Sequence, residues 1–413
     1  MSSDFSSANE VAGIIETAPL RVLCIDHEGG HGGSSRSLYF TLSQMNRDAV
    51  ELEVWCRRDS EFRNRYTELG IPVRLTRIIP VCRAQERFRA TLRSLFNASI
   101  DLFRNRKALR RLAKEIDERF DIVHLNYESL ILFAWWLRKR SNKVLVMHIR
   151  SRPVPTLWSR FQVFLQSRVI DQFVFITENQ LERFNSLGGN GSRDTIIFNP
   201  APIVKISEPH PLVPKDDRLN AGSLSNASYK RGVDRIVDVA EALAKRGASR
   251  NFRFVIAGDN RFSKFDAKQL ASFSQSNLTL RQYAEHRGVG EMFLFLGHVS
   301  DPERVISSCD LVLKLSRRND PWGRDVIESL TLGKPVLTTG TWEGFVHHDK
   351  SGWVIGDFDA ERCADYLMFA AANRESLKRM GDGGREHILE LCNPATRASE
   401  LEAIWFKTAT LRD

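Results

Sequence analysis

Asp320 and Glu328 are two carboxylates eight positions apart across a Pro-Trp-Gly turn, in the stretch NDPWGRDVIESLTLGKPVLTTG from Asn319 to Gly340. Gly323 can open a helix whose buried stripe is Val326, Ile327 and Leu330, with Gly333 as its stop and Pro335 starting the next strand. Asp320 then lies in the loop before the helix and Glu328 more than one turn inside it. A helix N-terminus offers unpaired N–H groups and the positive end of a dipole to an anion such as phosphate. A carboxylate at Glu328 accepts hydrogen bonds from hydroxyls. Together they suit a ligand carrying both phosphate and sugar. The plain alternative is that Asp320 only caps the helix and Glu328 is a surface residue.

Other polar residues stand at the ends of apolar runs. EGGHGGSSRSL holds Gly32 and Gly33 after the run RVLCID; by itself it reads equally as a tight strand-to-helix turn. It lacks the G-x-G-x-x-G spacing, which argues against a dinucleotide oxidoreductase. His124 ends DIVHLN, His148 lies in VLVMHIRSRP, and His298 and Val299 fall in FLGHVSD. A lone histidine at a strand end is more often structural than catalytic. His124 and His148 lack partners at metal-ligand spacing, so no metal site is expected. The six cysteines form no C-x-x-C pair, and a disulfide framework is not expected either. Lys230 and Arg231, in NAGSLSNASYKRGVD, read as a solvated helix start or as an anion clamp.

Strands alternating with helices must position these residues. RVLCID, VELEVWC, FDIVHLN, KVLVMHIR, DQFVFIT and TIIFNP read as strands of a first parallel sheet. PAPIVKISEPHPLVPKDDR, with five prolines and no helical period, reads as a linker. LNAGSL, FRFVIAGD, MFLFLGHV, DLVLKLS and KPVLTTG then restart the alternation. The expected organisation is a disordered leader over 1–19, a Rossmann-like acceptor domain over 20–200, a linker over 201–216, a Rossmann-like nucleotide-sugar domain over 217–394, and a C-terminal helix over 395–413 that packs back on the first domain. A chain of 413 residues suits two such α/β domains. In open α/β sheets ligands bind beyond the carboxyl ends of the strands, where Gly32, Gly33, His124, His148 and Asp320 fall.

The stretch around Asp320 resembles the donor-binding signature of glycosyltransferase family 4, retaining enzymes of the GT-B fold. That signature is a Glu, seven residues and a second Glu, with a Pro-Phe-Gly-like turn after the first and a Gly-x-Pro-Val strand after the second; here it reads Asp320-Pro-Trp-Gly-Arg-Asp-Val-Ile-Glu328, then Gly333-Lys-Pro-Val336. Asp320 replaces a Glu and is one methylene shorter. The resemblance implies that Glu328 holds the nucleotide ribose and that Asp320, with the turn carrying Trp322 and Gly323, meets the transferred sugar. It implies that the Gly32–Gly33 loop approaches the diphosphate and the acceptor. Arg231 takes the place of the family's diphosphate-binding Lys, with Lys230 beside it, and Ser223 stands where the family has an Arg. His148 lines the cleft near the reacting carbon, His124 supports it, and His298 and Val299 lie near the nucleobase.

The implied function is a retaining, metal-independent glycosyltransferase of hexosyltransferase type, with no cofactor beyond its nucleoside-diphosphate-sugar donor. It serves polysaccharide, lipopolysaccharide or glycolipid assembly, with a glycan or lipid-linked acceptor. The alternative is a nucleotide-sugar epimerase or hydrolase of the same fold. Between Val81 and Phe120 eleven Lys or Arg face five Asp or Glu, a net +6 of the chain's +9. Leu92, Leu95, Phe96, Ile100, Phe103 and Leu109 recur there at helical spacing. Such a basic amphipathic helix pair suits an anionic membrane surface through residues 83–119, or is a solvated face of its own domain. The basic residues match no nucleic-acid-binding module. The N-terminus lacks a signal-peptide pattern and LILFAWWL is too short to span a bilayer. A cytoplasmic protein, or one peripheral on the inner membrane face, is expected.

Overall fold

The computed structural model describes residues 18–27, 32–59, 61–82, 88–190, 194–203, 208–270 and 278–410. Most of the expected leader, the 28–31 part of the glycine-rich stretch, residues 83–87 of the basic segment and residues 204–207 of the linker lie outside them. The first sheet contains β1 (Leu20–Asp26), β2 (Val50–Cys56), β3 (Val73–Leu75), β4 (Ile122–Leu125), β5 (Val144–Ile149), β6 (Gln172–Phe175) and β7 (Asp194–Ile196). Their order is β3-β2-β1-β4-β5-β6-β7, and every pair is parallel. The second contains β8 (Leu219–Ser223), β9 (Phe252–Ala257), β10 (Phe293–Gly297), β11 (Leu311–Lys314), β12 (Val336–Thr339) and β13 (Gly352–Ile355). It too is wholly parallel, in the order β10-β9-β8-β11-β12-β13. The strands are short apolar runs because helices cover both faces of each sheet. In β1, Val22 and Cys24 enter one core while Leu23 and Ile25 enter another, as the two-residue period of a strand requires.

The strand order reverses between β1 and β4 in one sheet and between β8 and β11 in the other. Such reversals are where doubly wound sheets open a crevice. The chain crosses between the sheets twice. At the first crossing Arg150 donates to Asn199 Oδ1 at 2.6 Å, Pro200 O accepts from Arg324 Nη1 at 2.7 Å, and Ala201 N bonds Cys392 O at 2.7 Å. After the second, the helix Pro394–Ala409 lies back on the first sheet, where Ala398, Leu401, Ile404 and Trp405 share a core with Val22, Val54 and Val146.

Candidate functional site

Beyond β11 the chain runs through a loop into the helix Arg324–Thr331. Three glycines permit the close approaches that shape this corner. Gly323 has φ 140°, and a Cβ there would lie 2.7 Å from Asp325 Oδ1 and 3.1 Å from Lys314 Nζ. A Cβ on Gly340, also at φ 140°, would lie 2.5 Å from Pro321 Cδ. Gly232, at φ 67°, brings its backbone so near Leu315 that a Cβ would fall 1.8 Å from the carbonyl oxygen. Lys230 O then accepts from Arg317 N at 3.0 Å, and Arg231 stands within electrostatic reach of Lys314. The sequence-expected Lys230–Arg231 pair thus lies against the end of β11 and the loop that leads to Asp320. Lys314 is itself paired with Asp325 at 2.8 Å, whose Oδ1 also accepts from Val326 N at 3.0 Å.

Asp320 is half-buried, and its Oδ1 is buried with no hydrogen-bond partner. Arg152, which follows β5 in the other domain, is within electrostatic reach of it and has a buried Nε that makes no hydrogen bond. Burial, reinforced by the nearby Arg183, holds the Arg152 pKa below its ordinary value, and Asp320 opposes that shift. The Trp322 ring is only 5% exposed, set edge-on against Trp342 in the core of the second domain.

Glu328 is 4% exposed, buried rather than on the surface, and its Oε1 is already engaged. Arg324 Nε bonds Oε1 at 3.0 Å, and Arg36 Nη2, from the helix Gly33–Leu42 of the first domain, reaches it at 3.2 Å. Gly33, the first residue of that helix, has no room for a side chain, because a Cβ would lie 2.8 Å from Arg324 Cγ. The N-termini of the two helices therefore meet across the cleft, and the described part of the glycine-rich segment packs on Arg324. Gly32 is the N-cap of its helix, in extended conformation.

His148, near the end of β5, lies on the same sheet face as Val146, the face covered by the helices Gly33–Leu42 and Pro394–Ala409. It is 4% exposed, and neither ring nitrogen is hydrogen-bonded. Burial, with the positive charge of Arg150 adding to it, pushes its pKa well below the usual histidine range, so the ring is neutral. His124 stacks edge-on to His148 at 5.6 Å and accepts from Trp405 Nε1 at 3.3 Å through Nδ1; burial lowers its pKa to about 3. Ser223 is buried at the end of β8. His298 is exposed beyond Gly297, and Val299 is half-buried beside Val213 and Val255.

Sequence reasoning missed Arg36, Arg324, Arg150 and Glu128. Arg36 and Arg324 both occupy the first turn of a helix, where a cation opposes the dipole; that misplacement was the signal that each has an acid or carbonyl elsewhere. Arg150 donates twice to Asn126 Oδ1, at 3.1 and 2.6 Å. Glu128 accepts from Arg150 N at 3.0 Å and from the Ser151 hydroxyl, and burial raises its pKa. Among the described residues no cluster of three or more His, Cys, Asp or Glu could hold a metal ion, and no helix is long and apolar enough to cross a membrane.

Residues 32–200 match the model of the glycosyl transferase 4-like domain, and residues 206–387 match that of glycosyl transferases group 1. The chain belongs to the group 1 glycosyl transferases. A 192-residue segment of this glycosyltransferase is 24% identical to the N-acetyl-alpha-D-glucosaminyl L-malate synthase of Bacillus anthracis; it spans 46% of this chain and 46% of that protein. The fold is GT-B. It superposes on Anabaena Alr3699/HepE, solved in complex with UDP and glucose, with TM-score 0.74 and 17% identity over 93% of this chain and 98% of that one. The lipopolysaccharide outer core galactosyltransferase WaaB gives TM-score 0.64 and 15% identity over 94% and 99% of the two chains.

Proposed function

We propose that this glycosyltransferase moves a sugar from a nucleoside-diphosphate sugar to an acceptor hydroxyl with retention at the anomeric carbon, without a metal ion. The observation that carries this reading is the meeting of the helices Gly33–Leu42 and Arg324–Thr331 at their N-termini, with Arg231 and the unbonded Asp320 Oδ1 beside them. Two helix ends and a cation favour a diphosphate. Glu328 takes the ribose hydroxyls and Asp320 a hydroxyl of the sugar. Ser223 is too short to replace the family's Arg, and Arg231 with Lys230 carries that charge.

In the reaction the acceptor oxygen bonds to the anomeric carbon, the bond from that carbon to the diphosphate oxygen breaks, and the diphosphate leaves with the electron pair. Fixed N–H dipoles and cations stabilise the growing negative charge before it forms. Closure of the domains aligns the two reactants and excludes water. His148, neutral and buried, lines the wall of the cleft and meets the donor sugar near the reacting carbon.

The relatives' names support a sugar donor: one is an N-acetyl-alpha-D-glucosaminyl L-malate synthase, and HepE was solved in complex with UDP and glucose. A lipid-linked acceptor fits the helices Phe88–Arg104 and Arg106–Arg119, whose Phe96 and Phe103 are 64% and 70% exposed beside Arg104 and Arg106. The enzyme then works at the inner face of a cytoplasmic membrane, in lipopolysaccharide, polysaccharide or glycolipid assembly. A thermal-shift screen of nucleoside-diphosphate sugars tests the donor, since a ligand that binds the native state raises its melting temperature. A stabilising donor whose effect disappears in Glu328→Ala is expected, and the product's anomeric configuration by NMR checks retention. No shift with any donor overturns the reading; activity lost in EDTA and restored by Mg²⁺ overturns the metal-independent part.

A further inference from the structure

The carboxylate given to the ribose is held from both domains. Arg324 Nε and Arg36 Nη2 converge on Glu328 Oε1 at 3.0 and 3.2 Å, and no hydrogen bond between described residues ends on Oε2. A carboxylate accepts about four hydrogen bonds over its two oxygens, so this arrangement reserves Oε2. Arg324 sits one turn before Glu328 on the same helix, whereas Arg36 comes from the opposite domain. Its own helix, GSSRSLYFTL, contains no acid, and a cation in its first turn opposes the dipole. Arg36 is therefore placed by the two acids opposite it, Glu328 and Glu303, the latter on the helix Pro302–Ser307. The Arg36 and Glu328 side chains are 19% and 5% exposed, so water and salt screen the pair little.

We propose that Arg36 is a positioning residue for the donor. By fixing Oε1 from across the cleft it aims Oε2 at the ribose, and the competent ribose site forms together with the closed pair of domains. This rests on the donor reading above. An Arg36 that merely blocked the site would have the opposite effect: removing it would strengthen binding.

The test is isothermal titration of UDP, GDP and ADP into the full chain and its Arg36→Ala, Arg36→Lys and Glu328→Ala variants, with kinetics on the donor that binds. The nucleotide that binds the wild type is expected to bind Arg36→Ala about tenfold or more weakly. Arg36→Lys restores part of the loss, because a point donor replaces the planar fork. Donor KM rises while acceptor KM stays within about twofold, a split that general loosening of the fold does not produce. Should Arg36→Ala not fold, Arg36→Gln is read the same way. Unchanged or tighter nucleotide binding in Arg36→Ala, with binding lost in Glu328→Ala, overturns the inference and leaves the donor reading standing. No nucleotide binding by the wild type overturns the donor reading, and this inference with it.

Discussion

Gly33 and Arg324 touch across the interdomain cleft: a Cβ on residue 33 would lie 2.8 Å from the arginine Cγ. That carbon cannot swing away freely, because the guanidinium is bonded to Pro200 O and Glu328 Oε1. Gly33→Ala therefore sets two effects against each other. Alanine in the first turn reduces the freedom of the unfolded chain and stabilises by roughly 0.4–1 kcal/mol. The new methyl pushes the domains apart where their helix ends meet. Because the methyl has no room, overpacking of roughly 1–3 kcal/mol outweighs that gain, and the melting temperature is expected to fall while donor KM climbs about tenfold. Calorimetry and steady-state kinetics on one preparation decide it; an unchanged KM would show that the contact does not bear on the donor.

Asp320 presents a buried oxygen without a hydrogen bond to a cleft whose far wall carries Arg152. Asp320→Asn keeps the shape and removes the charge. A loss of about 10²-fold in kcat/KM is expected if the carboxylate meets the sugar, the size typical of one missing electrostatic contact in a closed site. Asp320→Glu, the family's residue, retains more activity than Asp320→Asn. Equal kcat/KM for wild type and Asp320→Asn would remove Asp320 from the site.

Much of this was legible in the sequence because parallel strands buried on both faces appear as continuous apolar runs. β2, β4 and β5 fall within the runs read as strands, and β1 begins one residue before its run. β3, three residues of VRL, and β13, GWVI, were not read. The first is too short to show a period. The second starts at Gly352, whose φ of 151° and close approach to Val336 only the fold explains. Among site residues, the local ones were readable: a turn, a helix start, two acids at fixed spacing. Arg36 and Glu328 are 292 residues apart, and no local pattern joins them.

The described part of the basic segment forms the two helices expected, and its apolar face is not fully covered. Leu92, Phe96 and Phe103 are exposed, and Arg106 lies over the Phe103 ring at 5.1 Å. Anionic vesicles should pellet the protein at low salt and release it as salt rises, since each cation near the surface adds about 1 kcal/mol that ions screen. Charge reversal at Arg104, Arg106 and Arg110 should abolish pelleting and lower activity only toward membrane-held acceptor. Intact activity on such vesicles in the reversed variant would rule out membrane docking.

His124 ties stability to pH with a definite sign. Its Nδ1 accepts the Trp405 N–H, which requires the neutral ring, and burial lowers its folded pKa to about 3 against an unfolded value of 6.5. Between those values the unfolded chain binds a proton that the folded one does not. The stabilisation is whole above pH 6.5 and is lost as pH falls toward 3, amounting to about 2 kcal/mol at pH 5. His148, also pushed down by burial, acts in the same direction. Carboxylates titrate over the same range, so the useful quantity is a difference. Denaturant unfolding of wild type and His124→Asn at pH 7.5, 6, 5 and 4 should show the variant less stable at pH 7.5 and the gap narrowing by about 2 kcal/mol by pH 5. Parallel curves would mean that His124 titrates at the same pH in the folded and the unfolded chain, and the Trp405 contact would then have to be reassigned.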